Sequence, residues 1–192
     1  MTVTVVGIGG SIRPNSQSER AMRIALSGAR EAGAHTVEVT GPDLVLPFYD
    51  PHVPDRPEAA SRLVKALREA DGVVLVSPGY HGTVSGLVKN ALDYLEELRG
   101  DQRPYLDGRA VALVAVARGW QASVATLGTL RQVVHALRGW PTPLGLSINS
   151  SATTFDDAGR TDDQSTAGAI GVMAGQLVDF AQRWTLQHPN PN

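Results

Sequence analysis

Three short segments of the chain combine glycines with polar donors. The first is Gly7-Ile8-Gly9-Gly10-Ser11-Ile12-Arg13-Pro14-Asn15-Ser16-Gln17-Ser18, directly after a β-branched apolar run. Gly7 and Gly9 match the first two glycines of a dinucleotide-binding turn. Ile12 stands where the third belongs, so that fingerprint fails. No Gly-Lys-Ser/Thr is present, which removes the P-loop as well. What remains is a glycine-rich turn carrying Ser11, Arg13, Ser16 and Ser18, with Gln17 between the last two, just before a predicted helix. Helix N-termini offer unpaired N–H groups and the positive end of a dipole. Hydroxyls add short donors, and a guanidinium adds a bidentate, charged one. The combination suits a terminal phosphomonoester. A helix cap at Ser16 or Ser18 beside a solvated Arg13 is the competing reading of the same residues.

The second segment, Ser77-Pro78-Gly79-Tyr80-His81-Gly82-Thr83, follows the apolar run ending at Val76. One proline and two glycines let backbone groups approach a flat ligand closely. Tyr80 offers an aromatic face, and His81 a donor to a ring heteroatom. A plain turn with a surface histidine is the alternative. The third segment is Ala117-Arg118-Gly119-Trp120-Gln121. It suits the third wall of a pocket, with backbone N–H groups toward ring carbonyl oxygens and Arg118 set against negative charge. A solvated arginine and a tryptophan packed on a neighbouring helix would look the same in sequence. His35 and His135 carry no role in this reading.

The elements that position these segments follow from apolar periodicity. Val3 to Ile8 is a first strand, followed by a helix to about Arg30 with Gly33 just past its end. Thr36 to Val39 is a second strand, and Leu46-Pro47-Phe48-Tyr49-Asp50-Pro51 a proline-rich loop. Pro57 opens a helix that Gly72 stops. Val73 to Val76 and Ala110 to Val116 are continuous apolar strands, as expected of a sheet buried on both faces. Ser85 to Arg99 is a helix with one leucine- and valine-rich stripe. A further helix runs through Leu127 to Leu137, Leu144 to Ile148 is a weaker fifth strand, and Ile170 to Phe180 lies on a last helix. Strand–helix alternation, five times over, predicts a parallel sheet covered on both sides. Ligands of such sheets sit beyond the carboxyl ends of the strands, where the three segments fall.

Bulk composition narrows the class. The 192 residues suit a single domain spanning 1–192. The net charge of −2 argues against a general nucleic-acid or anionic-membrane surface. The chain contains no cysteine, which excludes disulfides, thiolate metal sites and cysteine nucleophiles. Met1 to Val6 reads as a strand rather than a leader peptide, and no apolar run approaches the ~20 residues that span a bilayer. A cytoplasmic, soluble protein is expected. The nucleophile elbow Gly-x-Ser-x-Gly is missing, which argues against a serine hydrolase.

At the three segments the chain resembles the NAD(P)H-dependent FMN reductase family, which includes flavin, quinone, azo-dye and chromate reductases. Gly10 to Ser18 is similar to the family's first motif, and Ser77 to Asp93 to its second; the resemblance covers roughly residues 3–148. It implies a flavodoxin-like α/β three-layer sandwich: a five-stranded parallel sheet of order 2-1-3-4-5 with helices on both faces. It implies that Ser11, Arg13, Ser16, Gln17 and Ser18 hold the FMN phosphate. Pro78, Gly79, Tyr80, His81 and Gly82 would border the ring, with Arg118 and Gly119 completing the cofactor-binding set. No protein side chain need act as a catalytic acid, base or metal ligand, because the cofactor carries the chemistry. NADPH or NADH would deliver hydride to flavin N5, and a small acceptor (free flavin, a quinone, an azo dye or a metal oxyanion) would then replace it. A homodimer or homotetramer is implied, with Pro47-Phe48-Tyr49 a candidate segment reaching the partner's site, and a flavin-dependent monooxygenase is a possible recipient. The chain departs from the family where an acidic residue is usual at Gly79 and an asparagine at His81. Val84 occupies the place of a tyrosine insertion found in reductases that release flavin, which favours flavin held as a prosthetic group. An electron-transfer flavodoxin is the alternative; such proteins usually have a Ser/Thr-rich phosphate loop and strong acidity.

Overall fold

Valine, isoleucine and alanine dominate the strands because each must be covered on both faces. A computed structural model describes residues 2–188. The elements are β1 (Thr4–Gly9), α1 (Gln17–Glu31), β2 (His35–Thr40), α2 (Glu58–Glu69), β3 (Gly72–Tyr80), β4 (Thr83–Val84) and α3 (Gly86–Asp93). Then come β5 (Ala110–Ala117), α4 (Trp120–Ala136), β6 (Trp140–Pro141), β7 (Leu146–Asn149) and α5 (Gln164–Gln187). Short 3-10 turns follow β2 at Gly41–Leu44 and α3 at Tyr94–Leu98.

The strands run β2-β1-β3-β5-β6, with β7 also pairing β5. This is the expected 2-1-3-4-5 order, with seven strands rather than five. Two differences account for the count. The fifth position is split, because Trp140–Pro141 pairs with the start of β5 and Leu146–Asn149 with its end. Residues 142–145, Thr-Pro-Leu-Gly, interrupt it, and a proline has no N–H for the ladder. The other addition is β4, which folds back antiparallel on the end of β3.

Alternate residues of β3 and β5 enter two separate cores. Val73, Leu75, Val111 and Leu113 pack with Leu63 and Leu67 of α2, Val88 of α3 and Leu130 of α4. Val74, Val76, Ala112 and Val114 pack with Met22 and Leu26 of α1 and Met173 and Leu177 of α5. The single apolar run of each strand is two period-two patterns facing opposite ways.

At the amino end of the sheet, away from the three segments, Arg109 is almost fully buried at 1% exposure. Its Nε donates to the Ala70 carbonyl at 3.0 Å and its Nη2 to that of Arg68 at 2.8 Å. Its Nη1 donates to the carbonyls of Asp107 at 3.2 Å and Tyr105 at 3.3 Å. The guanidinium thus ties the end of α2 to the entry of β5. Burial pushes its pKa down to about 10, so it remains charged at neutral pH. Replacing Arg109 by Met should remove about 3 kcal/mol of stability, because several buried carbonyls lose their donor. Urea unfolding should show a lower midpoint with an unchanged slope; an unchanged midpoint would refute the bridging role.

Candidate functional site

The site begins where neighbouring strands stop at different heights. Pairing of β1 with β3 ends at Gly9↔Val76, while β3 pairs with β5 as far as Pro78↔Val116. Pro78 therefore lies past the end of β1, where its missing N–H costs no ladder bond on that side. The chain turns sharply out of β1 at Gly9 (φ 136°), where a Cβ would lie 1.8 Å from the Val76 carbonyl oxygen.

The loop from Gly10 then wraps the start of α1. Ser16 caps the helix, its hydroxyl accepting from the Glu19 amide at 3.3 Å. The Glu19 carboxylate accepts in turn from the Asn15 amide at 2.8 Å and from Arg23 at 2.6 Å. Ser-x-x-Glu is a capping box displaced by one residue at its return bond. Ser16 and Ser18 hydroxyls lie 3.1 Å apart, and the Arg13 amide donates to the Ser11 hydroxyl at 3.2 Å. The first-turn amides of Gln17 and Ser18 have no intrahelical acceptor, as at any helix start. Arg13 is exposed and forms no ion pair among the described residues.

The second segment is not a loose loop. β3 continues through Tyr80 and returns through β4, with Tyr80 opposite Thr83. His81 (φ 52°) and Gly82 (φ 83°) form the two-residue turn, the left-handed pair that such hairpins require. His81 is exposed at the tip. Gly79 lies against α4: a Cβ there would meet Thr126 Oγ1 at 2.6 Å. That hydroxyl donates to the Thr83 carbonyl at 3.2 Å, fastening α4 to the hairpin.

The third segment is also partly helical. Gly119 is the N-cap of α4, and Trp120 and Gln121 fall in its first turn. The residues after β7 brace this wall. Ser150 donates to the Ala117 carbonyl through its amide at 2.8 Å and its hydroxyl at 3.2 Å, and Ser151 Oγ to the Arg118 carbonyl at 3.0 Å. Further on, Gln17 holds both backbone groups of Phe155, accepting from its amide at 2.8 Å and donating to its carbonyl at 3.1 Å. Arg20 donates to the same carbonyl at 2.6 Å and pairs with Asp157. Asp163 closes the segment, capping α5 through the Thr166 amide and accepting from the Thr153 hydroxyl at 2.8 Å.

These walls enclose a cleft of about 440 Å³ at the carboxyl ends of β1, β3 and β5. Ser11, Arg13, Ser16, Gln17, Ser18, Pro78, Gly79, Tyr80 and Arg118 line it, all expected from sequence. His81, Gly82 and Gly119 do not: the first two stand at the hairpin tip and the third caps α4. Asn15, Arg20, Val116, Ala117 and Ser150 line it without having been singled out. No His, Asp or Glu cluster among the described residues could hold a metal ion.

A family model described as NADPH-dependent FMN reductase matches residues 3–153. The chain belongs to that family. It is 27% identical over 186 residues to the NAD(P)H-dependent FMN reductase PA1204 of Pseudomonas aeruginosa, covering 94% of this chain and 96% of that one. An NADPH azoreductase of Bacillus sp. (strain OY1-2) is 38% identical over 86 residues, 44% of this chain and 45% of the relative, so that match spans less than half of either. In fold, the chain is similar to the flavoenzyme NAD(P)H:(acceptor) oxidoreductase FerB of Paracoccus denitrificans, with a TM-score of 0.78 at 20% identity over 95% of this chain and 98% of that one. The protein is accordingly an FMN-dependent NAD(P)H oxidoreductase by family, and its sheet order is that of flavodoxin-like proteins. No helix of the described residues is long and apolar enough to cross a membrane.

For this reductase the missed residues differ in how readable they were. Glu19, which was not singled out, stands at capping-box spacing from Ser16, a signal present in the sequence. Arg20 and Ser150 are brought to the cleft by chain return, and no local pattern announces them.

Two measurements probe these walls. Gly79→Ala should destabilise the reductase, and adding Thr126→Ala should recover part of the loss, giving a coupling above about 0.5 kcal/mol in a double-mutant cycle; strict additivity would mean that the two do not collide. Hydrogen bonds from the Thr166 side chain and amide and from Thr153 lower the Asp163 pKa to about 2. The native state therefore favours ionised Asp163, and its contribution is present above pH 4 and lost as pH falls from about 4 to 2. The Asp163→Asn variant should lose less stability than the parent between pH 5 and 2; identical pH profiles would contradict the cap.

Proposed function

We propose that the cleft binds FMN with its phosphate on residues 10–18 and its ring over the ends of β3 and β5. One observation carries this reading: Ser11, Ser16 and Ser18, the start of α1 and Arg13, whose guanidinium forms no ion pair among the described residues, all line this one cleft. That donor set fits a phosphate dianion, with the helix dipole adding to the attraction. Pro78, Gly79 and Tyr80 supply the floor and edge for a planar ring. Gln17 supports rather than contacts the ester, because Phe155 occupies both ends of its amide.

FMN held by these residues would supply the redox chemistry, hydride from NADPH or NADH going in and electrons to an acceptor coming out. The chain's own task is to hold that ring still, keep its exposed side open to exchanging planar ligands, and supply a positive environment. The acceptor class favoured is a small aromatic oxidant, a quinone or azo compound, because Tyr80 lines the cleft and is exposed, and Trp120, two residues after cleft-lining Arg118, is exposed as well. A second copy of the chain is a fitting cover for this mouth. Phe48 is 90% exposed on a loop that is nevertheless pinned. Asn90 holds the Tyr49 amide and the Leu46 and Pro47 carbonyls, Tyr94 also donates to Pro47, and Arg56 stacks on Tyr49 while pairing with Glu97.

Arg13→Ala should weaken FMN binding by about 10- to 100-fold, the worth of one charge-assisted contact to a phosphate. Absorbance titration of the flavin-free protein measures it, with NADPH oxidation in the presence of a quinone following in parallel. Undiminished affinity would place the phosphate elsewhere.

A further inference from the structure

Three arginines and no carboxylate line the cleft. Arg20 is already engaged by Phe155 and Asp157, and Arg13 stands on the phosphate loop. Arg118 has no such occupation. Its side chain is exposed and makes no hydrogen bond or ion pair among the described residues. Its main chain, by contrast, is fixed, because Ser150 and Ser151 take the carbonyls of Ala117 and Arg118. A free guanidinium thus rises from a clamped root at the cleft's rim.

Position decides what it can serve. β5 lies two strands from β1, roughly 10 Å at ordinary strand spacing. Arg118 is therefore rooted on the ring side of the cleft rather than at residues 10–18. Arg13, three hydroxyls and the α1 dipole already match a phosphate dianion, so Arg118 is surplus positive charge facing whatever stacks above the ring. Such a charge at a cleft mouth draws anionic ligands and discriminates against neutral ones.

Building on the FMN reading above, we infer that Arg118 recognises an oxyanion on the ligand that exchanges over the flavin. Two sources share this chemistry: a phosphate of the reductant dinucleotide, or a sulfonate or carboxylate on an aromatic acceptor. Recognition is by a bidentate, charged hydrogen bond, and no bond to the ring is involved.

The test uses the FMN-loaded protein and its Arg118→Gln and Arg118→Lys variants. Four quantities are compared: the FMN dissociation constant, the flavin midpoint potential, calorimetric affinities for NADP+ and NAD+, and kcat/KM for paired acceptors, 1,4-naphthoquinone with and without a 2-sulfonate. Arg118→Gln should weaken FMN binding far less than Arg13→Ala does, and the lower flavin potential expected from losing a nearby positive charge acts on every ligand alike. Affinity or kcat/KM should fall about 10-fold for the more anionic member of one pair, and Arg118→Lys should restore part of it. A loss confined to NADP+ over NAD+ assigns the oxyanion to the reductant, and a loss confined to the sulfonated quinone assigns it to the acceptor. Equal losses for charged and neutral members would make Arg118 a flavin residue and overturn the inference. Unchanged discrimination in both pairs would overturn it too. Parent protein that takes up no FMN would bring down the underlying reading and this inference together, so the two failures are distinguishable.

Discussion

Parallel pairing sends the carboxyl end of every central strand to one side of the sheet, and β1 leaves that sheet two residues before β3 does. The step between Gly9↔Val76 and Pro78↔Val116 is the hollow in which the site is built. Everything else in the site fills or braces this step. Gly9 permits the turn out of β1 under the Val76 carbonyl. Pro78 is tolerated only because β1 has already ended, and the His81-Gly82 hairpin stops β3 from running on into solvent.

A buried carboxylate gives the loop of residues 10–18 its shape. Glu19, 5% exposed, gathers the Asn15 amide, Arg23 and the helix start around itself. Without that centre, the loop would have to satisfy its own backbone groups with water. Ser150 and Ser151 after β7, and Gln17 and Arg20 on α1, do the equivalent work by capturing main-chain carbonyls. The polar side chains nearest the cleft thus divide into two groups. One is spent on holding backbone, and the other, notably Arg13 and Arg118, is left free. This division is what gives an otherwise mildly acidic protein a locally positive cleft.

The two hydrophobic cores explain why so polar a site can be held accurately. Each central strand is locked from both faces, by α2, α3 and α4 on one side and α1 and α5 on the other. Loops rooted in such strands inherit fixed origins, while their tips remain adjustable. Loop 45–57 shows the same economy: its backbone is fastened by Asn90 and Tyr94, and donation from Arg56 holds the Glu97 carboxyl below its usual range, yet Phe48 itself touches solvent.

Period and punctuation in the chain were enough to read the strand–helix alternation and the three strand-end segments, whereas the order of the strands came only from the family resemblance. Those signals are local: buried strands must be apolar throughout, and glycine, proline and serine mark where chains turn and helices begin. Nine of the twelve expected cofactor residues line the cleft for that reason. The remainder depended on how segments distant in sequence meet. Nothing near Tyr80 reveals that β3 continues and folds into a hairpin, carrying His81 and Gly82 away. Nothing near Trp120 reveals that α4 begins there, pressed against Gly79 through Thr126. Arg20 reaches the Phe155 carbonyl across 135 positions of chain and Ser150 that of Ala117 across 33, both carbonyls being ones whose positions only the closed sheet defines. Local propensity determined which elements exist; the competition of buried backbone groups for partners, which is a property of the whole fold, decided which side chains were left free to bind.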